Sequence, residues 1–236
     1  MQLPIFYSEQ SIYGNSGLLS EDTSKHIVQV LRMQPGQQIL LTNGKGLLQT
    51  ASILSAHKKT TSVKIIDEQK LEFPKRKIII GISPVKNMNR FEWFLEKATE
   101  IGVTDIIILK STRTERHQIR YDRMNQILIA AMLQSRQVWL PNLSDLLTLE
   151  SVIKNNTSQN KFIAHCLDGD KLNLLDSAQL KNEDIITLIG PEGDFTEDEI
   201  NFALNHNFKP VTLGKNRLRT ETAGIAACIL MKALEF

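Results

Sequence analysis

Leu188-Ile-Gly-Pro-Glu-Gly-Asp-Phe-Thr-Glu197 and Leu213-Gly-Lys-Asn-Arg-Leu-Arg-Thr-Glu-Thr-Ala223 are the two stretches on which the reading of this chain turns. Each lies between a short apolar run with strand character and a segment with helical character. In an open α/β sheet, ligands settle beyond the carboxyl ends of the strands. Two glycine-bearing turns at one such edge therefore predict a single ligand crevice, and an enzyme in preference to a generic globular protein. Gly190, Gly193 and Gly214 let the backbone approach a ligand closely.

Working outward, alternation of strands and helices begins at Lys77. Strands are expected at Ile78–Ile82, Asp105–Leu109, Lys161–Cys166, Ile185–Ile189 and Val211–Leu213. The helix between the first two presents Phe91, Phe94, Leu95, Ala98 and Ile101 on one face. Asn89 is read as its N-cap, with Glu92 at N3 and Gly102 as its stop. A longer helix is expected over Tyr121–Val138, ended before Pro141. Thr196-Glu-Asp-Glu199 reads as a capping box, and Glu221–Leu234 as a closing helix with Thr220 at its N-cap. Such alternation implies a mostly parallel sheet covered on both faces. Lys154–Asn160, a polar stretch, reads as a surface loop.

The first seventy residues differ. One helix is expected over Glu21–Met33, through Ile27, Val30 and Leu31, stopped by Pro35-Gly36. Strands at Gln38–Thr42, Leu47–Leu54 and Ser62–Ile66, with a turn at Asn43–Gly46, point to a small antiparallel barrel. Pro74-Lys-Arg-Lys77 reads as a linker, giving two expected domains, residues 1–72 and 73–236.

Composition is that of an ordinary soluble protein, 42% hydrophobic and 23% charged. No apolar run approaches the ~18 residues that cross a bilayer. Met1-Gln-Leu-Pro-Ile-Phe lacks the marks of a signal peptide, so a cytoplasmic location and no membrane partner are expected. Cys166 and Cys228 have no ligand spacing. They read as buried inert thiols, and no metal site is expected. The net charge of +2 is unevenly placed: residues 73–140 hold 12 Lys and Arg against 6 Asp and Glu, while residues 141–236 hold 9 against 14. A basic middle segment is the footprint of a polyanion binder, although a solvated helical face would look the same.

The first turn has neither the G-x-G-x-x-G nor the G-x-x-x-x-G-K-[ST] phosphate fingerprint. Glu192 and Asp194 would repel a pyrophosphate at that helix terminus. An adenine-bearing ligand with positive charge suits it better, and S-adenosylmethionine meets that description. In the second turn, Arg217 and Arg219 sit near a positive helix end, where a cation gains nothing from the dipole.

The pair of turns resembles the SPOUT class of RNA methyltransferases. Within that class the chain is most similar to the family that methylates N3 of a uridine in bacterial 16S ribosomal RNA. His26-x-x-x-Val30-Leu-Arg32-x-x-x-Gly36, Lys97-Ala-Thr-Glu-Ile-Gly102, Thr114-Glu-Arg116 and Gln134-Ser-Arg136 resemble other motifs of that family, in order along nearly the whole chain. The resemblance implies a PUA-like β-barrel over 1–72. It also implies an α/β methyltransferase domain over 73–236 whose last segment forms a trefoil knot, and a homodimer. It implies S-adenosyl-L-methionine held by Leu188, Gly190, Pro191, Glu192, Gly193, Leu213, Gly214, Leu218, Arg219 and Thr220. Arg219, Glu221 and Glu192 are the implied catalytic residues. Arg32, Arg113, Arg116, Arg120, Arg123, Gln134 and Arg136 are the expected RNA contacts, with the small ribosomal subunit as partner. Departures are Asp194 where a second glycine is usual, Asn216-Arg217 for Arg and an aliphatic residue, Leu133 for a glutamate, and no arginine near Leu3. Two other readings stand beside this one: a methyltransferase of this class acting on another RNA, and a non-catalytic RNA-binding module on the same fold. His165, ending a strand, reads as a satisfied buried histidine or as another base.

Overall fold

A computed structural model describes residues 2–9, 12, 16–177 and 183–233, and the chain divides into two compact units. The first comprises Met1–Phe73 together with Met132–Leu140, and the second Pro74–Ala131 with Pro141–Phe236. The segment Met132–Leu140, expected to belong wholly to the second domain, thus clusters with the first.

The first unit contains β1 (Ile5–Tyr7), β2 (Ser16–Leu18), α1 (Glu21–Lys25), β3 (Gln38–Thr42), β4 (Leu47–Ser55) and β5 (Ser62–Lys70). They form a sheet of order β1-β3-β4-β5-β2, antiparallel except that β1 runs parallel to β3. Register shifts in β4 at Thr50/Ala51 and Ile53/Ser55 are the irregularities that curl a sheet. Phe6, Leu19, Ile27, Ile39, Leu41, Ala51, Ile53 and Val63 are buried together inside it. The helix expected over Glu21–Met33 is α-helical only to Lys25, continues as π-helix over His26–Val30, and ends with Arg32 at φ 53°.

The second unit contains β6 (Ile78–Ile82), α2 (Met88–Ile101), β7 (Asp105–Lys110), α3 (Tyr121–Gln134, whose last residues belong to the first unit), β8 (Asn142–Thr148), α4 (Leu149–Asn155), β9 (Asn160–Ala164), β10 (Leu172–Asn173), β11 (Ile185–Ile189), α5 (Glu197–Asn205), β12 (Lys209–Thr212) and α6 (Thr220–Ala233). Its sheet is parallel throughout, in the order β10-β12-β9-β11-β6-β7-β8. All five residues of β6 and all five of β11 are buried, as strands covered on both faces require. One face packs Ile79, Leu109, Ile163, Ile186 and Leu188 against α4 and α5. On the other, α6 lies on β6 and β11, and α2 packs against α6. A β-carbon on Gly224 of α6 would stand 2.7 Å from Phe94 of α2 and 2.8 Å from Ile82 of β6, so the helices approach as closely as glycine allows.

Local chemistry sets the boundaries. Asn87, not Asn89, caps α2 by accepting from the Asn89 N–H, and Gly102 ends the helix at φ 91°. Thr196 and Glu199 form the expected capping box of α5. Thr220 is the first residue of α6 rather than its cap, and the Arg219 carbonyl accepts the Ala223 N–H at 2.7 Å. The expected end of that helix at Leu234 lies outside the described residues. α3 stops at Gln134, short of Val138, because Arg136 turns to φ 58°. Arg76, in the segment read as a linker, is buried and donates to the Met231 carbonyl at 2.6 Å. β8 and α4 were not expected. The first carries Ser144 and Asp145, and the second is only 7 residues long.

Candidate active site

Because every strand of the second unit runs the same way, their carboxyl ends share one edge. The loops that leave β9, β11 and β12 there enclose a cleft of about 880 Å³, within the range of small-molecule sites. Gly190, Pro191 and Glu192 line it, as do Leu213, Gly214, Leu218, Arg219, Thr220 and Glu221. Most of the residues expected to hold a cofactor are therefore brought together by strand order alone.

The turn after β11 folds back on itself. The Asp194 N–H donates to the Pro191 carbonyl at 2.9 Å, and a β-carbon on Gly190 would stand 3.1 Å from the Phe195 nitrogen. Asp194 occupies the left-handed region at φ 65°. Its two carboxylate oxygens accept from the Cys166 N–H at 2.7 Å and the Phe195 N–H at 2.8 Å. This ties the turn to the end of β9. In the loop after β12, Thr212 Oγ1 accepts from the Gly214 N–H at 3.3 Å and donates to its carbonyl at 2.9 Å. Gly214 stands at φ 132°, and a β-carbon there would have nothing within 4 Å, so the backbone is open to a ligand.

Two expected cofactor residues do not line the cleft. Leu188 is buried in the core of the sheet, its side chain against Gly81, because its register in β11 points it to the α4/α5 face. Gly193 faces the side chain of Arg113, whose Nη1 donates to the Gly193 carbonyl at 2.6 Å.

The three candidate catalytic residues differ in their surroundings. Arg219 is exposed at the cleft, and its guanidinium makes no hydrogen bond or ion pair with another described residue. The Glu221 side chain is only 9% exposed, and its Oε1 lies 3.8 Å from Nε of Arg90. Glu192 is exposed, and its Oε1 accepts the Lys86 N–H at 2.9 Å. His165 lines the cleft half-buried, with Nδ1 shielded from solvent and without a hydrogen-bond partner among the described residues. It is not the satisfied histidine that was expected. Burial, and then the nearby Lys171, hold its pKa below the ordinary 6.5, against an opposing pull from Asp194. Cys166 is exposed and lines the cleft, contrary to expectation, whereas Cys228 is buried. Burial pushes the thiol pKa of both upward.

Of the expected RNA contacts in the second unit, Arg120 is exposed and Arg116 is half-buried with a shielded Nε. Arg123 is exposed and paired with Glu92 at 3.1 Å. Arg113 is committed to the turn after β11. In the first unit Arg32, Gln134 and Arg136 are exposed, and the Arg136 guanidinium donates to the Leu3 carbonyl at 3.3 Å. Among the described residues no His, Cys, Asp and Glu cluster could hold a metal ion, and no helix is long and apolar enough to cross a membrane.

Arg90, Lys171 and Cys166 are cleft residues that the sequence reading missed. The usable signal for two of them was position. Cys166 follows the carboxyl end of β9, and Arg90 opens the helix that follows β6.

Residues 71–232 match the family model described as RNA methyltransferase domain, and residues 19–66 match the RNA methyltransferase PUA domain. A probable rRNA methyltransferase from Porphyromonas gingivalis is 35% identical, with TM-score 0.90 over 99% of this chain and 98% of its own. The ribosomal RNA small subunit methyltransferase E of Neisseria gonorrhoeae, solved bound to S-adenosyl methionine, is 30% identical with TM-score 0.85 over 99% and 98%. The enzyme of the same name from Rickettsia conorii is 28% identical over 232 residues, covering 94% of this chain and 95% of its own.

Proposed function

The chain belongs to the RNA methyltransferase family, and from that premise we propose that it transfers the methyl group of S-adenosylmethionine to N3 of a uridine in the 16S ribosomal RNA of the small subunit. The observation that carries the proposal is the single cleft in which the glycine-bearing turns after β11 and β12 meet Arg219 and Glu221. Its chemistry fits the group. Backbone is open at Gly214, carboxylates stand at Glu192, Asp194 and Glu221 for a cationic sulfonium ligand, and a phosphate-binding loop is lacking.

When bound, S-adenosylmethionine supplies a methyl group already activated by its positive sulfur. What remains for the protein is to hold the uracil in line, an effect of roughly 7–11 kcal/mol at most. Uridine N3 must also lose its proton as the N–CH₃ bond forms. Glu221, nearly buried at the cleft with Arg90 beside it, and Glu192, one oxygen of which accepts the Lys86 N–H, are the two carboxylates placed to accept it. Arg219, with no competing partner among the described residues, faces the negative charge that develops on the uracil carbonyl oxygens. Arg116, Arg120 and Arg123 contact phosphates around a uridine turned out of its stack, because N3 lies on the Watson–Crick edge. Arg32 and Arg136 add contacts from the first unit. The same family reading carries a knotted last segment and a homodimer. Exposed Ile229 and Leu175 supply apolar area for a dimer contact.

The test is mass-spectrometric mapping of N3-methyluridine in ribosomal RNA from a strain lacking the protein, followed by methylation of small subunits from that strain in vitro. Loss of the modification and its restoration by purified protein are expected. An unchanged N3-methyluridine signal refutes the substrate.

A further inference from the structure

The turn that carries Gly190–Asp194 is gripped from two sides. Asp194 holds it to β9, as described above. On the β7 side the grip comes from the loop 111–115, whose Arg113 is expected from sequence to contact RNA phosphates. Arg113 Nη1 donates to the Gly193 carbonyl at 2.6 Å and reaches the Phe195 carbonyl at 3.5 Å. Its methylene stem lies along the turn as well, with Cδ 3.2 Å from where a β-carbon on Gly193 would stand. The neighbours of Arg113 reinforce the join. The Thr112 N–H donates to Glu199 Oε1 at 2.7 Å at the start of α5. Glu115 pairs with Lys86 at 2.9 Å, and the N–H of Lys86 holds Glu192.

Guanidinium donors aimed at backbone carbonyls do a different job from donors aimed at phosphate. A hydrogen bond to the Gly193 carbonyl fixes the plane of the peptide that joins Gly193 to Asp194. That peptide leads directly into the left-handed Asp194, and both Glu192 and Asp194 line the cleft. A charged donor makes this bond about twice as strong as a neutral one. We propose that Arg113 is a positioning residue for the cofactor turn, setting the backbone at Glu192 and Asp194, which line the cofactor cleft, and not a phosphate ligand. The proposal rests on the reading of the cleft as the cofactor site.

Calorimetric titration with S-adenosylmethionine, paired with the salt dependence of RNA binding, tests it on the full chain. Arg113→Ala is expected to weaken cofactor binding about tenfold, the loss of one charge-assisted hydrogen bond. The slope of log RNA affinity against log salt stays at the wild-type value. In kinetics the KM for the cofactor rises, while kcat at saturating cofactor returns to within about twofold of wild type. Gly193→Ala approaches the same contact from the other side, since its methyl presses on the Arg113 stem. It is expected to weaken cofactor binding in the wild-type background and to do so much less beside Arg113→Ala, which is the signature of direct coupling. Arg113→Lys, which keeps charge and one donor, restores part of the affinity and covers the case in which the alanine variant does not fold.

Undiminished cofactor affinity in both Arg113 variants overturns the proposal. So does additive behaviour of the two sites. A salt slope flattened by about 0.7–0.9 with cofactor binding intact makes Arg113 a phosphate ligand instead. A wild-type protein that binds no S-adenosylmethionine removes the cleft reading itself, and the proposal with it. These results are distinguishable from one another.

Discussion

Replacing Asp194 by the glycine usual in the family should destabilise this protein, although glycine is the residue that its backbone angle favours. At φ 65° a residue with a β-carbon carries a penalty of roughly 1 kcal/mol, which glycine would relieve. Against that stand the two carboxylate hydrogen bonds, to the Cys166 N–H at 2.7 Å and the Phe195 N–H at 2.8 Å. Bonds to an ionised acceptor contribute about 1.5–3 kcal/mol each. Water can replace part of the first because Cys166 is exposed, so about 1 kcal/mol for that bond and about 2 for the second is a fair division. Added freedom of glycine in the unfolded chain costs a further ~0.5–1 kcal/mol. The net is a loss of about 2–3 kcal/mol, or roughly 4–12 °C in melting temperature for a domain of this size. Asp194→Asn separates the contributions. It keeps the backbone penalty and one acceptor oxygen, but sets an NH₂ group against the other N–H, so it should lose stability as well. Thermal melting followed by circular dichroism, with S-adenosylmethionine affinity measured on the same samples, reads both effects. A glycine variant that melts at or above the wild-type temperature with undiminished cofactor affinity would refute this reasoning, and Asp194 would then be a tolerated departure with no structural task.

Three further outcomes follow from the same geometry. Arg219→Ala should lower turnover on the order of 10²- to 10³-fold with cofactor affinity nearly unchanged, whereas recovery of turnover at saturating cofactor would make it a residue that only shapes the loop. Gly224→Ala should destabilise by about 1–2 kcal/mol in urea unfolding despite a helix-propensity gain of ~1, because its methyl would meet Phe94 and Ile82 at 2.7 and 2.8 Å; a stabilised variant would show that α6 has room to move. The depressed pKa of His165 means that the unfolded chain binds a proton there which the folded chain refuses, so stability is fullest above pH 6.5 and falls as pH drops below it toward the folded value. His165→Asn should lose less stability than wild type between pH 7.5 and 5.5, and parallel curves would remove His165 as the cause.

How far the sequence revealed the fold depended on how local each signal was. The buried strands β6 and β11, the capping box at Thr196 and Glu199, and the glycine stop at Gly102 are written in adjacent residues and stand where they were expected. The switch from α- to π-helix at His26 changes hydrogen-bond partners without changing the apolar spacing, and so leaves no mark in periodicity. β8 and α4 escaped because an edge strand with Ser144 and Asp145 lacks a clean alternation, and two turns of helix are too short to show a period. In the cleft, the two glycine-bearing turns were legible. Arg90 and Cys166 were missed: each follows a strand whose place is legible, but which strand ends meet is set by the order β12-β9-β11-β6, a matter of non-local pairing. The direction in which Gly193 faces, toward the side chain of Arg113, is likewise a tertiary fact.

That order also divides the charges of the cleft into two kinds. Each cleft carboxylate named above is anchored: Asp194 by two backbone N–H groups, Glu192 by the Lys86 N–H, and Glu221 beside Arg90. Arg217 and Arg219 are exposed, and their guanidinium groups make no hydrogen bond or ion pair with another described residue. Anchored groups are set before any ligand arrives, and their field needs no reorganisation when charge moves. The fixed negative groups therefore suit a partner whose charge is constant on arrival, as a sulfonium is. Cations without a competing anion suit a partner whose negative charge grows during the reaction, as on a uracil losing its N3 proton. Had Arg219 been paired with Glu221 or Glu192, breaking that pair would add to the barrier. Instead Arg90 takes the position beside Glu221, and Arg219 has no anionic partner among the described residues.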